Sequence, residues 1–218
     1  MKIHRLLACI AVASFSPLSA ADPETDLPLV FSDDFEKGHA SWEVTDPATW
    51  THREVDGNKV FGINSRTNGY KPEARSPHHI AQITGVDLAD YVLTFRVRSI
   101  KDTGAHRDCC VFFNHQDPKH FYYVHLGAKP DSSSGRIMIV NNAPRKAMTA
   151  NENPIPWGGG WHPVKVVRDS KKCTIEIFFD DMEKPVMSTE DKTFGKGRIG
   201  IGSFDDRNDF DDVKLWGR

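Results

Sequence analysis

Residues 106–126 read HRDCCVFFNHQDPKHFYYVHL, and this stretch indicates the fold of the chain. Two apolar runs, at 109–113 and 121–126, flank the turn residues Asp117 and Pro118. Runs rich in Phe, Val and Tyr on either side of a turn signal are typical of paired β-strands. The stretch therefore predicts a β-hairpin, and its four histidines, Arg107 and two tyrosines predict a polar site on that hairpin.

Similar runs continue along the chain and are separated by Gly, Pro, Asp, Asn or Ser. They occupy residues 92–97, 136–140, 164–167, 174–179, 198–201 and 212–216. None of them shows a sustained helical period. Many short strands without helices predict an all-β protein, an antiparallel two-sheet β-sandwich of the jelly-roll, concanavalin A-like type.

The N-terminus has the pattern of an export signal. A basic start is followed by an apolar run at 6–15 and by the small residues 19–21. The run is too short to span a bilayer. We therefore expect residues 1–21 to be cleaved and the mature protein to be secreted or periplasmic.

Length and charge indicate one domain. The chain has 218 residues, a net charge of −2 and 39% hydrophobic residues, which suits one sandwich at 31–218 after a lead-in at 22–30. No Lys/Arg-rich run is present, which argues against a nucleic-acid partner, and no later run is apolar enough for a membrane span. We expect a monomer.

Cys109, Cys110 and Cys173 remain after removal of the signal. We expect all three to be small buried residues. A disulfide between Cys173 and one of the neighbouring pair is the alternative, because export permits disulfides. The absence of a Cys-x-x-Cys spacing argues against a zinc site.

The C-terminal half resembles the concanavalin A-like lectin/glucanase superfamily, close to its laminin-G-like members. The segments that carry the resemblance are WHPVKV at 161–166, TIEIFFDD at 174–181, FGKGRIG at 194–200 and FDDVKL at 210–215. Asp33 to Glu36 and Trp42 also fit, because such domains begin beside their last strand. The resemblance covers roughly residues 31–217.

The middle of the chain resembles secreted bacterial glycan-degradation proteins near the 3-keto-disaccharide hydrolase family. Residues 116–118, leading into 120–124, carry this resemblance. It implies a polysaccharide or oligosaccharide partner. The resemblance does not identify a catalytic residue in this chain, because the superfamily includes binding modules, hydrolases and lyases.

The carboxylates do not fit retaining hydrolysis. Such glycosidases need two carboxyl groups across the scissile bond, and the superfamily's Glu-x-Asp-x-x-Glu pattern is absent. Glu176 has no partner at that spacing, and Asp108 is the only carboxylate in the first strand of the hairpin. Lyase-type elimination on an acidic or oxidised sugar needs a His or Tyr base and a cation or amide that holds the anion, and those residue types are concentrated here.

Strand alternation divides the second run of the hairpin. Phe121, Tyr123 and His125 share one face, and the more apolar Tyr122, Val124 and Leu126 should face the core. We therefore predict Tyr123, His125, His106 and Arg107 as catalytic residues. Alternation alone leaves the register open by one residue, so it does not fix which side of the first run faces these residues.

Five further residues are predicted to bind substrate: Arg75, His115, Asn141, Arg145 and Trp157. The alternative for each histidine is a solvated or hydrogen-bonded residue, and for Trp157 it is packing. A transition-metal site is not favoured, because no His-x-His or His-x-x-x-His pair occurs.

Asp34 and Asp211 are predicted to hold a structural calcium where the first and last strands meet, since carboxylate oxygens suit that ion. The alternative is turn-forming aspartates. No other cofactor is expected. The rival functions are a non-catalytic carbohydrate-binding module and a laminin-G-like adhesion domain.

Overall fold

The computed structural model describes residues 22–101, 103–150 and 153–218, so the predicted export signal lies outside the described residues. These residues form short strands joined by turns, and no helix among them is long and apolar enough to cross a membrane. The strands are β1 (Leu29–Asp33), β2 (Trp42–Val44), β3 (Trp50–Val55), β4 (Asn58–Ile63), β5 (His79–Ile83), β6 (Tyr91–Ser99), β7 (Cys110–Asp117), β8 (His120–His125), β9 (Arg136–Asn141), β10 (Lys146–Ala147), β11 (His162–Asp169), β12 (Thr174–Phe179), β13 (Met187–Glu190), β14 (Arg198–Ser203) and β15 (Asn208–Gly217).

The strands form two antiparallel sheets. The first has the order β13-β12-β11-β6-β15-β4-β3, with β1 also pairing with β15, and the second has the order β10-β9-β8-β7-β14-β5-β2. The predicted two-sheet sandwich of the jelly-roll type is therefore confirmed. The first strand lies beside the last, with Asp33 opposite Val213, as the resemblance implied.

The core between the sheets follows from alternation along the strands. In β11, every second residue is buried, and Val164 and Val166 enter the core opposite Phe95 and Leu93 of β6. Each such aliphatic or aromatic side chain stabilises the fold by roughly 1.5–3 kcal/mol on burial. This repeated pattern gives the chain its β-sandwich architecture.

The predicted hairpin is formed by β7 and β8. Cys110 pairs with His125, and Phe113 pairs with Tyr122. A bulge then shifts the register before Asp117, so β7 continues beyond the apolar run that predicted it. Asn114 lies in this bulge with φ of 47°, and its side-chain oxygen accepts a hydrogen bond of 3.0 Å from the Tyr91 hydroxyl.

The sequence does not predict β3, because most of its residues are polar. β3 reads WTHREV and is buried at Trp50 alone. β4 follows after a two-residue turn and pairs with β3 along its length. β1 begins at Leu29, inside the predicted lead-in, whereas β12 has the predicted bounds.

The outer face of the first sheet carries buried charge. Asp209 has a fully buried side chain and pairs with both Arg53 and Arg98, the latter at 2.9 Å. The Trp161 ring lies 5.1 Å from the guanidinium carbons of both Arg96 and Arg98. These contacts order the middle of the sheet through charge-assisted hydrogen bonds.

The three cysteines in the described residues carry free thiols, so the disulfide alternative is not formed. Cys109 and Cys110 are buried as expected, but Cys173 is partly exposed. Because neighbouring strand residues face opposite sides, Cys109 lies in the main core and Cys110 in a second apolar cluster on the outer face of the second sheet.

Candidate functional site

The predicted division of the hairpin faces is confirmed. Tyr122, Val124 and Leu126 lie in the main core, and Tyr123 lies in the second apolar cluster. The Cys110–His125 pairing adds that Cys110 shares the face of His125. The structure therefore fixes the register of the hairpin, which the sequence leaves open by one residue.

This outer face is covered. Tyr123 is 0% exposed and His125 is 8% exposed. Tyr70 and Ala74, from the segment between β4 and β5, pack against the second apolar cluster. The Phe204 ring stacks on the His125 ring with a centroid separation of 5.8 Å. A substrate cannot touch Tyr123 unless this cover moves.

His125 is held beside a carboxylate that was not among the predicted site residues. Its Nε2 lies 3.8 Å from Asp108 Oδ2, and its Nδ1 lies 2.8 Å from the Ser133 carbonyl oxygen. The second oxygen of Asp108 accepts hydrogen bonds from the Ser203 hydroxyl (2.6 Å) and the Phe204 amide (3.0 Å). One oxygen of Asp108 is therefore held by hydrogen bonds from Ser203 and Phe204, and the other oxygen faces His125.

The pKa of Asp108 lies below its usual value. Burial would raise it, but the neighbouring His125 imidazole and the hydrogen bonds from Ser203 and Phe204 favour the carboxylate and outweigh burial. Asp108 is thus a buried anion in this structure.

Two predicted substrate-binding arginines meet at Phe204. The guanidinium carbon of Arg145 lies 4.3 Å from the centroid of the Phe204 ring, and that of Arg75 lies 5.9 Å from it. Their backbones are joined, because the Arg145 amide donates to the Arg75 carbonyl at 3.1 Å. The His78 ring lies 5.1 Å from the same Phe204 ring. We call Arg75, His78, Arg145 and Phe204 the Phe204 patch.

The Phe204 patch is electropositive. The pKa of His78 is lowered by burial first, then by Lys71, Arg75 and Arg145, while Asp205 acts in the opposite direction. The buried Nη1 of Arg145 has no hydrogen-bond partner in the described chain. The patch is therefore suited to an anionic ligand.

Tyr123 lies below this patch. Its hydroxyl meets no hydrogen-bond partner at normal geometry among the described residues. Burial raises its pKa well above the usual value, and the nearby Arg145 guanidinium only partly counteracts this. A tyrosine in this environment holds its proton, which weighs against a role as general base.

The structure gives His106 and Arg107 contacts away from Tyr123 and His125. His106 is exposed in a short 3-10 turn. The Arg107 guanidinium donates to the Gly158 carbonyl at 3.0 Å, on the loop before β11. Their assignment as catalytic residues stays a prediction, and this geometry does not favour it.

The remaining predicted ligand residues are dispersed. His115 is buried and stacks on Phe121 at 4.8 Å. Asn141 is exposed and pairs with His120, at the opposite end of β8 from His125. The Trp157 indole donates to the Leu126 carbonyl at 2.8 Å and packs on Phe179, which fits the packing alternative.

The two predicted calcium ligands have protein partners. Asp211 Oδ2 accepts from Arg96 at 2.6 Å and from Asn58 at 2.8 Å, and its Oδ1 accepts from the Asp212 amide. Asp34 is exposed and accepts from the Glu36 amide within its own turn. The calcium site stays a prediction, and the turn-forming alternative accounts for Asp34.

A separate groove of about 860 Å³ lies on the outer face of the first sheet. Residues 22–27 form part of its lining together with β6 and β11. Asp22 of this segment pairs with Lys214. The groove mixes acidic and basic side chains, unlike the Phe204 patch.

No protein-family model matches the chain, and neither does any curated protein sequence. Solved structures do match it. The carbohydrate-binding module CBM66 from Bacillus subtilis is 17% identical, with a TM-score of 0.57 over 81% of this chain and 96% of that one. Domain 4 of AbnA, a GH43 extracellular arabinanase from Geobacillus stearothermophilus solved with arabinotriose, is 12% identical, with a TM-score of 0.58 over 88% and 93%.

The cellulose-induced protein Cip1 is also similar, with 14% identity and a TM-score of 0.57 over 85% of this chain and 96% of that one. At these identities the similarity establishes the fold. These neighbours agree with the two-sheet jelly-roll sandwich and leave the family undetermined.

Proposed function

We propose that this protein is an exported β-sandwich that binds an acidic glycan at the Phe204 patch. The observation that carries the proposal is the Arg145 guanidinium, whose buried Nη1 has no hydrogen-bond partner in the described residues. It is held over an aromatic ring, and no carboxylate of the described residues pairs with it or with Arg75. A guanidinium recognises a carboxylate through parallel hydrogen bonds, and uronic acids present that group on a sugar ring.

The fold neighbours support a sugar as the ligand class. One is named as a carbohydrate-binding module, and another was solved with arabinotriose. The two guanidinium groups at the Phe204 ring favour sugars that carry an anion. Export, as the N-terminal pattern predicts, would place the protein where polysaccharides occur.

Binding without catalysis is the form that the geometry supports best. Arg75 is exposed and Phe204 is half-buried, so both are accessible to a polymer. Tyr123 and His125, which would carry out elimination, are covered. A catalytic group must reach the proton that it abstracts.

Elimination is the second candidate, and one observation favours it. The buried Tyr123 hydroxyl lies near the Arg145 guanidinium, which would hold the sugar carboxylate. If the cover opens on binding, these two groups are suitable parts of a lyase site. Incubation with uronic-acid polysaccharides, followed by the absorbance of the unsaturated product, separates the two candidates.

The test of binding is affinity electrophoresis in gels that contain acidic or neutral polysaccharides. We expect retardation by at least one uronic-acid polymer and weaker retardation at high salt. Arg145→Gln should weaken binding roughly 10- to 100-fold, the effect of losing a charged hydrogen bond. Arg218→Gln removes an equal charge from an exposed side chain elsewhere and should leave binding unchanged.

Two results would overturn the proposal. The first is equal retardation of wild type and Arg145→Gln by every polymer that binds. The second is a loss of binding in Lys165→Gln together with unchanged binding in Arg145→Gln. That result would place the ligand in the groove on the first sheet, which Lys165 lines.

A further inference from the structure

A buried group of three metal-ligating side chains lies beneath the Phe204 patch. Asp108, Cys110 and His125 each offer a ligand atom, and these atoms lie within 4.8 Å of one another. All three residues are buried. The spacing of the cysteines in the sequence does not indicate this group. Cys110 begins β7, Asp108 lies just before it, and His125 ends β8.

Strand pairing explains how the group forms. Cys110 and His125 are directly opposite in the β7–β8 ladder, so their side chains share a face. Asp108 precedes Cys110 by two residues, which returns its side chain towards the same side. The site is therefore built where β7 begins and β8 ends.

The imidazole of His125 is oriented as a metal ligand would be. Its Nδ1 faces the Ser133 carbonyl at 2.8 Å, and a carbonyl oxygen can only accept, so Nδ1 carries the hydrogen. Metal-bound histidines commonly donate their other ring N–H to such a group. This contact directs Nε2 towards Asp108.

Two acceptors then face each other. Asp108 Oδ2 lies 3.8 Å from Nε2, and its partner oxygen is already held by Ser203 and the Phe204 amide. A carboxylate oxygen and an imidazole lone pair repel in a buried site unless a cation lies between them. That cation is either a proton on Nε2 or a metal ion.

The composition and charge of the group favour a metal. A divalent ion with one carboxylate, one thiolate and one neutral imidazole has no net charge, which removes most of the cost of burial. Sulfur, nitrogen and oxygen ligands suit Zn²⁺ and disfavour Ca²⁺ and Mg²⁺. Zinc bonds of about 2.0–2.3 Å require the ligand atoms to approach by up to roughly 1 Å.

A second observation supports a metal ion near Asp108, Cys110 and His125. The hydroxyl of the fully buried Tyr123 has no hydrogen-bond partner within 3.5 Å in the described residues, and Tyr123 packs in the same apolar cluster as Cys110. An unsatisfied buried hydroxyl is costly. Three protein ligands leave a fourth position on zinc for a water, which a nearby hydroxyl can hydrogen-bond.

We propose that Asp108, Cys110 and His125 form a binding site for a transition-metal ion of the zinc type on the outer face of the second sheet. The site does not depend on glycan binding. Binding displaces the proton of the Cys110 thiol, since the thiolate is the ligand form. The ion would replace the contact between Asp108 and His125 with bonds to both.

The experiment is titration of the chelator-treated, full mature chain with Zn²⁺ and with Co²⁺, followed by calorimetry and by cobalt absorption. We expect one equivalent of either metal, proton release on binding, and a sulfur-to-cobalt charge-transfer band. Cys110→Ser should weaken binding by more than about 100-fold and abolish the band. Cys109→Ser is the matched control, because Cys109 faces the main core, and it should keep both.

Ser203→Ala gives a readout that does not remove a ligand. It leaves Asp108 without one of its hydrogen bonds and should weaken metal binding by roughly 10- to 100-fold. Failure of the wild type to bind either metal stoichiometrically would overturn the proposal and indicate a proton between Asp108 and His125. Equal loss of the cobalt band in Cys109→Ser and Cys110→Ser would also overturn it. Neither result bears on the Phe204 patch, which the polysaccharide gels test separately.

Discussion

His115 should make the fold sensitive to mild acid. Burial lowers its pKa from 6.5 to about 4, and Arg198 adds to the effect, while Asp117 and Glu43 partly oppose it. Between about pH 6.5 and about pH 4, His115 is therefore protonated in the unfolded chain and neutral in the folded chain. Stability is lost over that window, and the difference between the two pKa values corresponds to about 3 kcal/mol.

The substitution His115→Gln removes this titration. Urea unfolding of both proteins between pH 4 and pH 7.5 measures the effect. The stability of wild type relative to His115→Gln should fall by about 2–3 kcal/mol between pH 7.5 and pH 4. His78 and His79, whose pKa values are also lowered, titrate in both proteins and cancel in the difference.

The exposed His106 provides the control, and His106→Gln should follow the wild-type curve. Parallel stability curves for wild type and His115→Gln would refute the reasoning, because they would mean that His115 titrates equally in the folded and unfolded chains.

Two further predictions concern stability and are measured by urea unfolding at pH 7. Asp209→Asn should lower the free energy of unfolding by about 2–3 kcal/mol, since it leaves Arg53 and Arg98 without their shared carboxylate. Both arginines are partly exposed, so the loss should be smaller than for a fully buried ion pair. Gly202→Ala should cost about 3 kcal/mol or more, because its Cβ would lie 1.9 Å from the His79 carbonyl oxygen, a backbone atom that cannot turn aside.

Matched controls separate these mechanisms from general effects of substitution. Asp87 forms an exposed pair with Lys196 at 3.8 Å, so Asp87→Asn should change stability by less than about 1 kcal/mol. No atom lies within 4 Å of a Cβ built on Gly159, so Gly159→Ala should be within about 0.5 kcal/mol of wild type. A similar cost for each variant and its control would contradict the structural explanation.

Alternation made the fold predictable from the sequence. Runs such as 174–179 place apolar residues at every second position, and β12 has those bounds. Strands such as β3 were missed because their outward positions are charged and their inward positions are few. Local pattern detects a strand only where one face is continuously apolar.

Parity also placed Tyr123 and His125 on one face, but it could not show that the face is covered. Phe204 comes from a turn about 80 residues further along the chain and stacks on His125 through tertiary packing alone. In the sequence, Asp108 stands out only as the carboxylate at the start of the hairpin, and its position beside His125 depends on tertiary structure. Spacing along the chain does not reveal Cys110 as a ligand, because its partner His125 lies opposite it in the neighbouring strand.

The most direct test of the account is calorimetric titration of wild type and Arg145→Gln with one uronic-acid oligosaccharide and its carboxyl-reduced form. We predict that wild type binds the acidic form roughly 10- to 100-fold more tightly than the reduced form, and that Arg145→Gln removes most of this preference. Equal affinity of wild type for the two forms, or an unchanged preference in Arg145→Gln, would contradict the assignment of the Phe204 patch as an acidic-glycan site.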